Sequence, residues 1–201
     1  SFVLLVFSCK MQEDDTLETM LEMESEGYSA RQISDSKGQE IKEKIEEYKG
    51  IVNRKVEAAG QLAIYYKMLA TEYLVRDMYG LALENFSEAI LIEPENPILF
   101  YYAGVCSARM GKAIVEAEDA LERFRDAESY YLRAISLDRQ YSDALYGLSV
   151  LYVFELNEAE RAIPYLQRLL AKESKNTDAL FLLARAYVEE GNISAAVNSY
   201  D

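Results

Sequence analysis

Histidine and tryptophan are absent from this sequence of 201 residues, cysteine occurs twice, proline three times and glycine nine times. Without imidazole, and with Cys9 and Cys106 far apart, there is no Cys–x–x–Cys, no His pair and no Cys–His couple, which removes most metal and nucleophile arrangements. Acidic pairs are common, but on exposed helix faces they are solvated charge. The expectation is a chain without metal, cofactor or enzymatic activity. The scarcity of glycine and proline leaves few turns, so a sheet domain has little room and one elongated helical core is expected. Basic residues are also short: 21 Lys and Arg stand against 35 Asp and Glu, a formal net charge of −14. That balance disfavours nucleic acid and anionic lipid as partners of the folded part and leaves basic or apolar protein partners.

Half of the residues are hydrophobic, and their spacing is helical. Tyr66, Leu69, Ala70 and Tyr73 stand at i, i+3, i+4 and i+7, and Ala82, Phe86 and Ala89 form a second stripe before Pro94. Small alanines allow two antiparallel backbones to approach, and the Phe86 ring fills the gap between them. The pattern returns three times. Leu69 maps to Ala103, Leu148 and Leu183 at steps of 34, 45 and 35, and Ala82 maps to Ala127, Ala162 and Ala196 at steps of 45, 35 and 34. The stretch Ala63 to Asn96 and its copies resemble the tetratricopeptide repeat (TPR), a helix–turn–helix unit of 34 residues.

That resemblance implies an all-α, right-handed TPR solenoid of antiparallel helix pairs, a fold that offers partners a surface and has no inherent chemistry. Four units are expected, 63–96, 97–141, 142–176 and 177–201, the second enlarged and the fourth truncated. Upstream, Ile41, Ile45, Tyr48, Val52, Val56, Ala59 and Leu62 step by three or four, so one long helix is expected from about Gln39 into the first repeat. Its part at 39–62 is read as an N-terminal cap over the first repeat, with a free coiled-coil arm for self-association as the alternative. The surplus of the second repeat lies between Ser107 and Ala127. Shared evenly, it lengthens each arm of a hairpin by roughly 5 to 6 residues and puts the tip near Val115 to Asp119. A turn at Gly111, where the family turns, followed by an extra helical stretch, is the other reading. The added arms are expected to touch little beyond each other, and Pro164 is expected to bend the second helix of the third repeat.

The resemblance also implies a concave groove lined by the first helix of each unit. The residues carried over to it as partner-binding candidates are Lys67, Leu74, Val75, Tyr101, Val105, Tyr146, Val150, Phe154, Phe181 and Arg185. Members that clamp a chaperone's terminal carboxylate use lysine, arginine and asparagine. Here Lys67 alone matches, while Thr71, Tyr102, Asp143 and Gly147 stand at the other places. The ladder of Tyr101, Tyr146 and Phe181 with its valines suits a helix or an extended apolar segment better. Coverage of the groove by a further helix of the same protein is the alternative. Cys106, beside Ala103 and Gly104, reads as a buried, inert thiol.

The run Phe2 to Phe7, followed by Ser8, Cys9 and Lys10, resembles the end of a bacterial lipoprotein signal, with Cys9 as the lipidation site. A short apolar element packed on the repeats is the alternative. Residues 10–38 are read as an acidic tether, with a solvated leader of no particular role as the alternative, and between Lys10 and Glu47 twelve acidic residues face five basic ones. The sequence reads as a fragment at both ends. Together these features lead us to expect a membrane-tethered scaffold or assembly factor of the bacterial cell envelope, lipid-anchored and extracytoplasmic, with an oligomer possible. Two alternatives stand beside it: a TPR partner of a periplasmic solute-binding protein handling apolar small molecules, and a soluble cytoplasmic scaffold.

Overall fold

In the computed structural model residues 35–199 are described, and all of their regular structure is helical. The helices are α1 (Asp35–Val75), α2 (Tyr79–Ile92), α3 (Pro97–Ala113), α4 (Ala117–Leu137), α5 (Ser142–Phe154), α6 (Ala159–Lys172), α7 (Thr177–Glu189) and α8 (Ile193–Asn198). Contacts divide the chain into residues 1–52 and 53–201. The expected lipidation site Cys9 and nearly all of the expected tether lie outside the described residues.

In the first unit, the start of α1 at Asp35 precedes the expected Gln39. Ile41, Ile45, Tyr48 and Val52 are exposed, and the helix surface carries the local pairs Lys44–Glu47 at 3.0 Å and Lys49–Glu46 at 2.7 Å. Such exposed pairs contribute only a few tenths of a kcal/mol, so little holds this surface except the helix itself. As expected, the helix continues unbroken through Gly50 and Gly60 into the first repeat.

The second unit consists of four hairpins, α1/α2, α3/α4, α5/α6 and α7/α8. Each closes because small residues meet at its crossing: Ala82, Ala127, Ala162 and Ala196 are all buried, and Phe86, Tyr131 and Leu166 fill the space one turn further on. Between hairpins, the connections cap the next helix. Asn96 accepts from the Ile98 amide and Asn176 from the Ala179 amide, satisfying donors that the helix leaves unpaired. Each of these asparagines also donates to the glutamate three residues before it, Glu93 at 2.8 Å and Glu173 at 3.0 Å. Within hairpins the chain turns through the left-handed region at Asp77 (φ 57°), Asn157 (φ 53°) and Gly191 (φ 77°). Pro164 sits inside α6, whose helical run continues through it.

The second repeat is a lengthened hairpin, as expected, but its surplus is divided unevenly. Helix α3 has 17 residues against 13 in α5 and α7, and α4 has 21 against 14 in α2 and α6. Gly111 occupies the place at which the other repeats turn, yet it lies within α3, and the turn comes at Ile114–Glu116. Its glycine has a different use. A Cβ there would stand 2.7 Å from the Phe124 ring, so the missing side chain lets the ring lie against the helix.

The expectation that these arms contact little beyond each other is not met. Phe124 is buried in one core with Ala144, Leu145 and Leu148 of the third repeat, Lys112 pairs with Glu155 at 2.8 Å, and Arg125 reaches Glu158 at 2.5 Å. The lengthened α4 turns its added residues toward the next hairpin, where they find apolar and charged partners. Only the tip stands free, with Val115 90% exposed. Gly111→Val should therefore lower stability by about 1–3 kcal/mol through overpacking against Phe124. Val115→Asp should change it by less than about 0.5 kcal/mol. Urea unfolding followed by circular dichroism measures both, and equal effects would show that the base of the hairpin is as loose as its tip.

Candidate partner-binding groove

The first helices of the four repeats, α1, α3, α5 and α7, carry the candidate residues, and the structure treats the two ends of the series differently. In the first repeat, Lys67 donates to Glu93 at 2.7 Å, so its charge is already matched by the connection into the second repeat. The Lys67 and Asn96 bonds hold the Glu93 carboxyl below the usual carboxylate range. Leu74 is half-buried, and Val75 is exposed at the end of α1.

Tyr101 of α3 does not stand out as a free rung. Its ring lies 5.0 Å from Tyr102, 5.5 Å from Tyr141 and 6.0 Å from Tyr131, and Tyr102 stacks on Phe86 at 5.5 Å. Such offset and edge-on contacts add to the area each ring buries. Burial pushes the hydroxyl pKa values of Tyr101 and Tyr141 up, with Asp143 adding to the shift, so these phenols stay neutral. Val105, Tyr146 and Val150 are half-buried beside this cluster. Burial, and after it Asp178, likewise raises the pKa of Tyr146.

Toward the C-terminal side the rings are uncovered. Phe154 of α5 is exposed, the Arg185 guanidinium of α7 lies 4.6 Å from its centroid, and Phe181 is 61% exposed. Arg185 also donates to Glu189 at 3.0 Å, which leaves this cation neutralised and spread over an aromatic face. Beyond it, Phe181, Arg185, Val188, Ile193 and Val197 line a pocket of about 700 Å³ between α7 and α8.

One feature of this unit went unread in the sequence. Glu128 of α4, 8% exposed, accepts from Arg125 at 2.7 Å, from the Tyr152 hydroxyl at 2.7 Å and from Arg161 at 2.5 Å. Arg125 and Arg161 both bond Glu158 as well, and Arg161 lies 4.3 Å over the Tyr152 ring. The cluster joins α4, α5 and α6. Its signal was available: Glu128 occupies the place at which the other repeats carry Leu83, Ile163 and Val197. Cys106 is buried, and burial pushes its thiol pKa up to about 12, which makes it unreactive at neutral pH. Among the described residues no group of His, Cys, Asp and Glu suits a metal ion, and no helix is long and apolar enough to cross a membrane.

Residues 153–201 match the tetratricopeptide repeat family. A solved structure of MamA from Desulfovibrio magneticus superposes with a TM-score of 0.60 at 19% identity, covering 69% of this chain and 71% of that one. The fold is a TPR-like solenoid. A TPR repeat-containing protein of Borreliella burgdorferi is 27% identical over 169 residues, which is 84% of this chain and 73% of that one. The first TPR of Spaghetti (RPAP3), solved bound to the HSP90 peptide SRMEEVD, gives a TM-score of 0.56 at 24% identity over 65% of this chain and 94% of that one.

The junction around Glu128 is expected to carry a pH dependence. Burial opposes the charge of Glu128, but the bonds from Arg125, Tyr152 and Arg161 outweigh it and hold the carboxyl below its usual value; Glu158 is lowered by Arg125 and Arg161. A carboxyl lowered in the folded state contributes stability above its unfolded pKa, and that stability is lost as pH falls through the folded value. The melting temperature should thus be flat above about pH 5 and fall below it. In Glu128→Gln the fall should be shallower and the neutral-pH stability lower by about 1–3 kcal/mol, discounted because Arg125 and Arg161 are partly solvated. Calorimetry across pH 3–7 tests this, and an unchanged acid slope in the variant would remove Glu128 from the account.

Proposed function

We propose that this TPR protein is a scaffold that takes an apolar, basic-flanked segment of another protein into the C-terminal half of its groove. The observation that carries the proposal is the pair of exposed rings, Phe154 on α5 and Phe181 on α7, with Arg185 neutralised between them. Exposed aromatic patches of this kind mark binding surfaces. Asp178, exposed in the first turn of α7 three residues before Phe181, places negative charge beside that ring. An apolar segment with flanking lysine or arginine fits that surface. An acidic peptide like the one carried by the RPAP3 domain suits this groove poorly, because Lys67 is paired with Glu93 and Arg185 with Glu189.

The finer reading is a lipoprotein. Acylation of Cys9 would hold the repeats at a bacterial membrane, facing an extracytoplasmic space, through the acidic residues that follow. It rests on the apolar run before Ser8 and Cys9. Mass spectrometry of the native protein should find a diacylglyceryl adduct on Cys9, with detergent needed for extraction. A native chain that retains residues 1–8 unmodified would end the lipoprotein reading and leave the groove reading intact.

A photocrosslinker at position 181 isolates the groove's partner. Its captured segment should bind Phe154→Ala or Phe181→Ala roughly 30-fold or more weakly, since truncating a central aromatic anchor commonly costs about 2 kcal/mol. Helicity should be unchanged. Asp178→Asn should alter mainly the salt dependence of association. Should ring truncation leave affinity intact while loss of the carboxylate abolishes it, the partner is held by charge and the groove reading fails.

A further inference from the structure

The side chain of Tyr131 runs from α4 between α3 and α5, and two glycines mark its course. A Cβ on Gly104 of α3 would meet the Cε1, Cδ1 and Cγ atoms of the ring at 2.8, 2.9 and 3.2 Å. A Cβ on Gly147 of α5 would meet Cε1, Cζ and the hydroxyl oxygen at 3.1, 3.1 and 3.4 Å. The base of the ring is thus beside α3 and its hydroxyl end beside α5. Gly147 stands four residues after Asp143, three before Val150 and seven before Phe154, which puts it on the helix face that lines the groove. The hydroxyl of Tyr131 therefore takes the place of a groove-facing side chain on α5.

The repeats make no use of that hydroxyl. Tyr131 is 4% exposed, yet among the described residues its oxygen neither gives nor receives a hydrogen bond, and it is not sealed from solvent. Packing does not call for it either. The same place is held by Phe86 in the first repeat and by Leu166 in the third, both buried. A phenylalanine would fill the space between Gly104 and Gly147 without desolvating an unpaired hydroxyl.

The surroundings define what would bind there. Burial raises the pKa of Tyr131, with Tyr101 and Cys106 adding to the shift and Arg109 opposing it, so the phenol is neutral and holds a proton to donate. Arg109, exposed on α3, has no ion pair among the described residues, and its charge favours an electronegative acceptor over a cation. With no side chain on Gly147, the wall of α5 is lowest at this point, and the backbone of an extended segment can come down to the hydroxyl. Such a segment covers its own carbonyls as it binds, and each covered carbonyl needs a donor.

We infer that the Tyr131 hydroxyl is a hydrogen-bond donor subsite of the groove, and that it takes a main-chain carbonyl of the bound segment. The inference rests on the groove reading above and adds the contact that fixes the segment's register: the rings hold apolar side chains, and the hydroxyl holds the backbone. Gly147 and Phe154 are seven residues apart on α5, about 10 Å, so the bonded carbonyl should lie about three residues from the side chain that covers Phe154.

The experiment uses the full chain and a synthetic peptide of the segment captured through position 181. Tyr131→Phe removes the oxygen and keeps the ring, so its melting temperature should equal or exceed that of the unaltered protein. The peptide should bind this variant roughly 3- to 10-fold more weakly. Replacing one amide of the peptide at a time by an ester weakens the carbonyl as an acceptor. At one position that change should cost the unaltered protein a similar factor and cost Tyr131→Phe nothing, which couples the two groups directly.

A clear drop in the melting temperature of Tyr131→Phe overturns the inference, because the hydroxyl would then have a partner within the fold. So does unchanged peptide affinity in that variant, or an ester penalty equal in both proteins at every position. If Phe181→Ala weakens binding and Tyr131→Phe does not, the subsite fails and the groove reading stands. If neither does, the groove reading falls and the subsite with it.

Discussion

Close approach of two helix backbones is the constraint on which the other features of this chain depend. At each crossing an alanine of the second helix, Ala82, Ala127, Ala162 or Ala196, is buried against Ala70, Gly104, Ser149 or Ala184 of the first. Interiors are packed at crystal density, so residues this small at the crossing force a large one nearby to fill what remains. Tyr131 shows how narrow the fit is. Its ring sits where a Cβ on Gly104 would stand 2.8 Å away and a Cβ on Gly147 3.1 Å away, so both helices that flank the ring gave up a side chain to admit it. Ser149 is tolerated at a crossing because its hydroxyl donates to the Leu145 carbonyl of its own helix at 2.8 Å, leaving no donor unmet.

Once the crossings are set, the connections have little freedom, and polar chemistry is concentrated there. Glu93 and Glu173 do one job in two places: each accepts from the capping asparagine and from a residue of the preceding hairpin or its neighbour, Lys67 in one case and Ser142 in the other. The junction between the second and third repeats has Asp138 in that place, which caps the Gln140 amide at 2.9 Å. This junction has in addition the Glu128 cluster, and it is the one that the lengthened hairpin must brace. A buried carboxylate with three donors costs its desolvation and gains specificity of register, because only one placement of α4 against α5 and α6 satisfies it.

The repeat register was legible because small and large residues recur at fixed steps, and the same steps located the insertion between Ser107 and Ala127. How the surplus is shared was not legible. Spacing sets the total length added to a hairpin and says nothing about where its turn falls, and Gly111 pointed to a turn while serving as a seat for Phe124. In the groove, the positions of Phe154, Phe181 and Arg185 on the first helices followed from register alone. The inward role of Tyr101 did not, since it depends on rings from α4 and from the connection at Tyr141. Lys67 and Glu93 are 26 residues apart, a pairing that no local pattern reveals. The apolar steps of the long helix predicted its continuity, but periodicity alone could not say what covers its apolar side.

The uneven exposure of the groove has a geometric consequence for a partner segment. Aromatic residues fill the space between the first and second repeats from within, so a partner segment finds uncovered rings only from Phe154 to Phe181, about two helix widths. Two adjacent helices lie 8–10 Å apart, which spans only a few residues of an extended segment. Affinity from so short a contact is limited by the loss of translational freedom on binding. A partner with repeated segments would offset that limit through effective concentration.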